Sequence, residues 1–136
     1  NGNYDLVFND PAAICAINNR GNVLTNFPLR ASLTAGETLI GTPLIADLNG
    51  DNQPDFIAAT NQGQLVGLDV KGQPIAGFPL ATGGHISLTP LLADLENSGK
   101  YSLLALTDSG TLYAWHFYSS APLAQERRWT QANRNA

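Results

Sequence analysis

Residues 47–55, with the sequence DLNGDNQPD, contain the side chains best suited to bind a metal ion. Asp47, Asn49, Asp51 and Asp55 offer carboxylate or amide oxygens, and their spacing lets a tight loop direct them at one centre. The backbone carbonyl of Gln53 would add another oxygen. Hard cations such as Ca²⁺ take about six to eight oxygen ligands, and three carboxylates leave such a site near neutrality. The sequence therefore predicts a Ca²⁺ site at these five residues.

Two other interpretations of this loop start from the same residues. An EF-hand would have Gly at Asn52 and a bidentate Glu at Ala58, so the loop departs from that type at two key positions. An ion-free turn is also open, because Asp and Asn in tight turns commonly hydrogen-bond their own backbone. Asn52 suits either kind of turn, since Asn tolerates a left-handed backbone. The alternating oxygen-bearing residues favour the cation.

Four residues outside this loop have side chains used in catalysis, but none has a readable partner. His85 lies in a glycine-rich loop and His116 in a predicted strand, with no acid, base or metal ligand at a fixed spacing. Ser109 lies in a turn and lacks the flanking glycines of a nucleophile elbow. Cys15 has no second cysteine to form a disulfide or a thiolate metal site. We predict no catalytic residue.

The chain contains an internal repeat. Residues 41–48 (GTPLIADL) recur 47 residues later as LTPLLADL, and residues 26–29 (NFPL) recur 51 residues later as GFPL. Short apolar segments bounded by Asn, Asp and Gly are typical of strands joined by turns. In the middle unit this pattern predicts four strands, at residues 43–48, 55–60, 64–70 and 74–80.

Four-stranded units that repeat at about 40 to 50 residues are characteristic of β-propellers. We therefore predict an all-β fold, a partial β-propeller of slightly under three four-stranded antiparallel blades. We expect residues 1–136 to form a single propeller segment, with an incomplete repeat over approximately 1–40 and further repeats at 41–87 and 88–136. Closed propellers have about four to eight blades, so we expect either the remaining blades of a longer protein or self-association.

The composition argues against several classes of protein. Of the 136 residues 43% are hydrophobic, which is enough to build a core. Seven Lys and Arg against eleven Asp and Glu offer no large basic surface to a phosphate backbone. No run of about 18 apolar residues could span a membrane. We predict no nucleic-acid partner and no membrane span, and the absence of Met suggests a processed chain or a piece of a longer one.

Residues 41–60 resemble the FG-GAP or VCBS type of repeat, best known from the seven-bladed propeller of integrin alpha chains and from secreted bacterial proteins. In that family a Gly-x-Pro strand leads into Asp-x-Asp-x-Asp-Gly-x-x-Asp and then a second strand. Asn49 and Asn52 depart from the pattern at its second Asp and its Gly, so we expect a reduced affinity for calcium. The resemblance implies a propeller blade with a calcium loop, in a domain that binds or scaffolds.

The next repeat has different residues at the corresponding loop positions, which are Asp94, Glu96, Ser98, Lys100 and Ser102. Ser102 lacks the last carboxylate and Lys100 brings a competing cation, so we predict no metal in that loop. Tyr113, Trp115 and Phe117 alternate along a strand, which predicts packing between blades, with a carbohydrate or peptide platform as the alternative. The tail at 127–135 resembles the end of many secreted bacterial propellers.

These observations lead to the expectation of a non-catalytic, calcium-binding FG-GAP/VCBS-type propeller module of an exported bacterial protein. It would be secreted, periplasmic or at the cell surface, with a protein or carbohydrate ligand. Calcium would neutralise the loop carboxylates and fix the hairpin. The alternative is an accessory or cofactor-framing propeller part of a larger secreted enzyme, such as a polysaccharide lyase, hydrolase or quinoprotein-like dehydrogenase, because fold analogy does not separate these classes.

Overall fold

The computed structural model describes residues 5–117, which form ten strands and no helix. The fold over these residues is all-β, as the turn and repeat pattern predicts. It includes no apolar helix of membrane-spanning length. The strands are β1 (Leu6–Asn9), β2 (Ala13–Ile17), β3 (Leu29–Arg30), β4 (Leu39–Ala46), β5 (Asp55–Thr60), β6 (Gln64–Leu68), β7 (Leu80–Ala81), β8 (Leu91–Ala93), β9 (Ser102–Leu106) and β10 (Leu112–His116).

The strands form three antiparallel sheets, and neighbours in the sequence are neighbours in each sheet. The first sheet has the order β1-β2-β3, the middle sheet β4-β5-β6-β7 and the third sheet β8-β9-β10. Over the part of the chain described, no sheet closes on itself and only the middle sheet has four strands. By their place in the repeat, β1-β2-β3 correspond to β5-β6-β7, and β8-β9-β10 correspond to β4-β5-β6.

The middle sheet differs from the predicted strands at its two outer strands. The fourth strand, predicted over residues 74–80, is present but confined to Leu80–Ala81. Pro74 makes a single bridge to Leu68, a turn then interrupts the pairing, and Leu80 pairs with Leu65. That turn is closed by a hydrogen bond of 3.1 Å from the Phe78 N–H to the Ile75 carbonyl. β4 begins earlier than predicted and contains a register shift around Pro43, which has no N–H to donate to the ladder.

The repeat is visible in the hydrogen bonds of residues 18–28 and 69–79. Asn18 Oδ1 accepts hydrogen bonds from the N–H groups two and four residues later, at 2.9 and 3.0 Å. Asp69 Oδ1 does the same at 2.8 and 2.9 Å. Asn and Asp serve equally here because each supplies the same acceptor oxygen. The turn between the second and third strands of the first sheet therefore recurs in the middle sheet.

The middle sheet has an apolar neighbour on each face, and every residue of β5 is buried. Successive side chains of a strand point to opposite faces, so a strand buried on both faces needs a continuous apolar run such as FIAA. The first core, which lies between the first and middle sheets, contains Ile14, Leu29, Leu39, Phe56, Ala58, Val66 and Leu68. The second core, which lies between the middle and third sheets, contains Leu44, Ala46, Leu48, Ile57, Ala59, Leu65, Ile86, Leu92, Leu103 and Ala105.

Candidate metal centre

The five predicted ligand residues all lie in or beside the loop that joins β4 to β5. Ala46 pairs with Asp55 across the two strands, so Asp47 and Asp55 lie together where the loop leaves the sheet. Both of these carboxylates are buried, with 2% and 0% of their surface exposed. Asn49, Asp51 and Gln53 lie in the exposed part of the loop. The loop therefore has a buried acidic base and an exposed, oxygen-rich turn.

Side-chain oxygens of this loop accept hydrogen bonds from its own backbone. Asp47 Oδ1 accepts from the Gly50 N–H at 2.7 Å, and Asp47 Oδ2 accepts from the Asn52 N–H at 2.8 Å. Asn49 and Asp51 each accept from the N–H two residues later, at 2.9 and 2.8 Å. These bonds are the ones that the ion-free interpretation requires. They hold the turn in place in the absence of any ion, but none of them involves Asp55.

Asp55 is the loop residue whose hydrogen bonding is incomplete. Its Oδ2 accepts a hydrogen bond of 2.9 Å from the Leu48 N–H, whereas its Oδ1 is buried and has no hydrogen-bond partner. Burial raises the pKa of Asp55 to about 6; the backbone N–H groups of Leu48 and Asn49 oppose this rise, and the nearby charges of Asp51 and Asp47 add to it. Buried polar atoms without partners are rare because each costs free energy. An additional positive group at Oδ1 would remove that cost.

The chemistry of the donor set fits a hard cation. All the side-chain donors are carboxylate or amide oxygens, which Ca²⁺ prefers, and the orphaned Asp55 oxygen lies at the base of the set. Within residues 5–117, no group of three or more Asp, Glu, His or Cys side chains is already arranged to hold a metal ion. A bound ion would therefore need the amide oxygen of Asn49 and the carbonyl of Gln53 in addition to the carboxylates.

The backbone of this loop includes two residues in the left-handed region. Gly50 has a φ of 79° and Asn52 a φ of 63°, which confirms the expectation that Asn52 can take a left-handed backbone. The loop that joins β8 to β9 repeats this feature at Asn97 and Gly99, with φ values of 52° and 80°. Asn and Gly have exchanged positions between the two loops. Either residue fits, because Asn and Gly tolerate this conformation best.

The β8–β9 loop keeps the turn but replaces the buried carboxylate. Asp94 accepts hydrogen bonds from the Ser98 and Gly99 N–H groups at 2.9 and 2.7 Å, and these bonds lower its pKa. Ser102 occupies the position that corresponds to Asp55, and only 1% of its surface is exposed. A neutral hydroxyl thus lies where the β4–β5 loop has a carboxylate with an unsatisfied oxygen.

The structure also reveals an interaction of His116 that the sequence analysis missed. His116 pairs with Ser102 across β9 and β10, and its Nδ1 lies 3.0 Å from Ser102 Oγ. Its Nε2 lies 3.4 Å from Glu96 Oε1. A serine, a histidine and a carboxylate in this order resemble a nucleophilic relay, but a nucleophile must reach its substrate. The burial of Ser102 prevents that, so this group stabilises the loop instead. Only the pairing register of the hairpin could have indicated it.

The other residues considered for catalysis lie in a turn, a loop and a strand; they are Ser109, His85 and Cys15. Ser109 Oγ lies 2.9 Å from Thr107 Oγ1 in the β9–β10 turn, as predicted for a hairpin. His85 is exposed in the loop before β8, and its carbonyl accepts a hydrogen bond from the Asp108 N–H. Cys15 is half-buried in β2, and burial raises the pKa of its thiol, which disfavours the nucleophilic thiolate.

The alternating aromatic residues of β10 pack as predicted. The rings of Tyr113 and Trp115 stack with centroids 5.8 Å apart, and Phe117 stacks on Phe78 of the middle sheet at 5.8 Å. Tyr113 Oη accepts a hydrogen bond of 2.8 Å from the Gly83 N–H. Trp115 and Phe117 pack against the second core, so packing between sheets is confirmed for these two residues, whereas the Tyr113–Trp115 stack lies within the third sheet. The tail at 127–135 lies outside the described residues.

No known protein family, no curated protein and no solved structure matches this chain. The function must therefore be inferred from the chemistry of the β4–β5 loop and from the arrangement of the sheets.

Proposed function

We propose that this chain is a segment of a β-propeller of the FG-GAP/VCBS type, that its β4–β5 loop binds Ca²⁺, and that it serves as a non-catalytic interaction or scaffolding module of an exported bacterial protein. The observation that carries the proposal is the buried, unpartnered Oδ1 of Asp55 at the base of an oxygen-rich loop. A divalent cation is the simplest group that pairs this oxygen and also offsets the charges of the neighbouring carboxylates.

The arrangement of the sheets supports the propeller part of the proposal. Three antiparallel sheets follow one another along the chain, and the middle one is covered on both faces by its neighbours. Propeller blades pack face to face in this way, each burying its apolar side chains against the next. The turn that begins at Asn18 recurs 51 residues later with the same hydrogen bonds, and the β4–β5 loop recurs 47 residues later with left-handed residues at the equivalent positions. Consecutive blades of one propeller would give this recurrence.

The ligand residues would divide the work of holding the ion. Asp55 and Asp47 are fixed at the ends of paired strands, so they would provide a rigid anchor. Asn49, Asp51 and the carbonyl of Gln53 lie in the exposed turn and would complete the coordination. The ion would supply positive charge alone, with no redox or acid–base step. Its consequence would be structural, because it would link the two strand ends and order the exposed turn for a protein or carbohydrate ligand.

The β8–β9 loop explains why one site is proposed and not two. In that loop the buried position is Ser102, which already has His116 as a hydrogen-bond partner. No buried anionic oxygen there lacks a partner. A module with one ion-dependent loop and one ion-independent loop would lose only part of its order when calcium is removed. Such partial dependence suits exported proteins, since calcium is plentiful outside cells.

Isothermal titration calorimetry with Ca²⁺ tests the proposal. We expect one site per chain, with a dissociation constant on the order of 10⁻⁴ to 10⁻³ M, as in extracellular modules with few carboxylates. Asp51→Asn should weaken binding at least tenfold. Asp69→Asn is the matched control, because Asp69 makes the same turn hydrogen bonds outside the loop, and it should bind as the wild type does. No heat of binding at several millimolar Ca²⁺ would contradict the proposal.

A further inference from the structure

The outer face of the third sheet is apolar, and nothing within residues 5–117 covers it. Leu91 and Leu104 pair across β8 and β9 on the face opposite to the second core, and Leu112 continues this face on β10. Leu95 in the following loop is exposed as well. We name these four residues the back face. In the repeat they correspond to four residues of the middle sheet, which are Leu44, Leu48, Ile57 and Leu65.

Equivalent positions of the two sheets differ sharply in exposure. Leu65 of the middle sheet is 0% exposed, whereas its equivalent Leu112 is 63% exposed. Leu48 is likewise buried and its equivalent Leu95 is exposed. The residue type is the same in both pairs, so the difference comes from the neighbour: the third sheet covers the middle sheet, and no part of residues 5–117 covers the third. Isolated exposed leucines are ordinary, but a contiguous apolar face indicates an interface.

The first sheet has the complementary face, which the described part of the chain also leaves uncovered. Leu6 pairs with Ile17 and Phe8 with Cys15, so these four residues lie on the side opposite to the first core, and we name them the front face. They correspond in the repeat to the residues by which the middle sheet packs on the first, which are Phe56, Ala58, Val66 and Leu68. Leu6 is 59% exposed, whereas Phe56 is 5% exposed.

We propose that two copies of this chain associate through two identical contacts, the front face of each copy packing on the back face of the other. A second copy is the expected partner because both contacts between sheets inside the molecule already join the front of one sheet to the back of another. A contact between unlike faces either closes into a ring or continues as a filament. Residues 5–117 of two copies supply six sheets, within the range of about four to eight at which propellers close, whereas a third copy would exceed it.

The ring rests on the propeller arrangement of the proposed function and extends it from a segment to a closed assembly. It does not depend on calcium, because the Asp55 carboxylate lies on the covered middle sheet and belongs to neither outer face. The two proposals can therefore fail separately. A monomeric chain that still binds calcium would overturn only the ring, and a closed dimer that binds no calcium would overturn only the metal site.

Sedimentation equilibrium of the 136-residue chain tests the ring. We expect twice the chain mass of 14.4 kDa, with no larger species as the concentration rises. Leu6→Lys alters the front face and Leu112→Glu the back face, and each alone should weaken the dimer at least about 100-fold, because each disturbs both contacts. Lys71→Glu, in an exposed turn of the middle sheet, is the control for a change of charge and should remain dimeric.

Mixing the two variants provides the decisive measurement. A pair made of one Leu6→Lys copy and one Leu112→Glu copy has one unaltered contact and one contact between opposite charges, so the equimolar mixture should regain the dimer. This recovery also shows that both variants are folded. A monomer at roughly 100 µM, a concentration that populates any stable dimer, would overturn the proposal. So would an open series of polymers, or one variant that stays dimeric alone, since that would indicate contact between like faces.

Discussion

Replacement of Asp55 by Asn should change stability in opposite directions with and without calcium. Asn keeps an oxygen that can accept the 2.9 Å hydrogen bond from the Leu48 N–H, and it carries no charge for Asp47 and Asp51 to repel. The variant therefore removes the buried charge and keeps the shape of the side chain. Without an ion it should relieve the unpaired carboxylate, and with an ion it should remove the central ligand.

The magnitude follows from the pKa of Asp55, which burial raises from 3.8 to about 6. Because the folded-state pKa lies above the unfolded one, the contribution to stability is complete below pH 3.8 and is lost as the pH rises through 6. The full loss above that range is about 3 kcal/mol, at about 1.4 kcal/mol per pH unit. Water beside the exposed turn screens part of it, so we expect Asp55→Asn to be more stable by about 1 to 2 kcal/mol at pH 7.5 in EDTA.

Urea unfolding, followed by tryptophan fluorescence at pH 4 and pH 7.5, measures this difference. In EDTA the advantage of Asp55→Asn should be present at pH 7.5 and nearly absent at pH 4. With Ca²⁺ at about 100 times its dissociation constant, the wild type should gain about 2.7 kcal/mol and the variant almost nothing, so the wild type becomes the more stable protein. A variant that is less stable than the wild type in EDTA at pH 7.5, or that gains equally from calcium, would refute the reasoning. Asp69→Asn should show neither effect.

Two further substitutions, Gly63→Ala with Gly21→Ala as its control and Asp47→Ala, test the backbone and the β4–β5 loop. Gly63→Ala should destabilise the fold by about 2 to 4 kcal/mol, because Gly63 has a φ of 77° and an added Cβ would collide with the Gly84 carbonyl. Gly21→Ala, at a φ of 81° with open space around it, should cost only about 1 kcal/mol, and equal losses in thermal unfolding would contradict the clash. Asp47→Ala should cost about 1 to 3 kcal/mol even in EDTA, through its hydrogen bonds of 2.7 and 2.8 Å. A neutral result in urea unfolding would show that the turn does not need them.

Strand positions could be predicted where apolar runs end at turn residues. The sequence places β5 at residues 55–60, as the structure does, because Pro54 and Asn61 bound the run. The outer strands were harder to predict, since their ends depend on pairing with distant segments. Gly67 shows why: an added Cβ would lie 2.8 Å from the Phe78 ring, so this glycine is required by a residue eleven positions away. No local pattern contains that information.

The candidate site could be predicted in its composition but not in its energetics. Alternating Asp and Asn residues identify the loop, yet the feature that favours a cation is the unpartnered oxygen of Asp55, and this depends on packing between sheets. The contact between Ser102 and His116 likewise depends on the register of a hairpin. Residue type alone therefore indicates which atoms could bind an ion, and burial determines which of them lacks a partner.

β5 lies between two strands of its own sheet and between two other sheets, and Asp55 is its first residue. Its amide hydrogens should be among the slowest in the protein to exchange with solvent, because they exchange only when several elements open together. The exposed part of the β4–β5 loop, residues 49–53, can rearrange while β5 stays intact. An arriving ion would thus meet one ligand that is held in place by the best-protected strand, and the speed of its capture would depend on how quickly the turn reorganises around it.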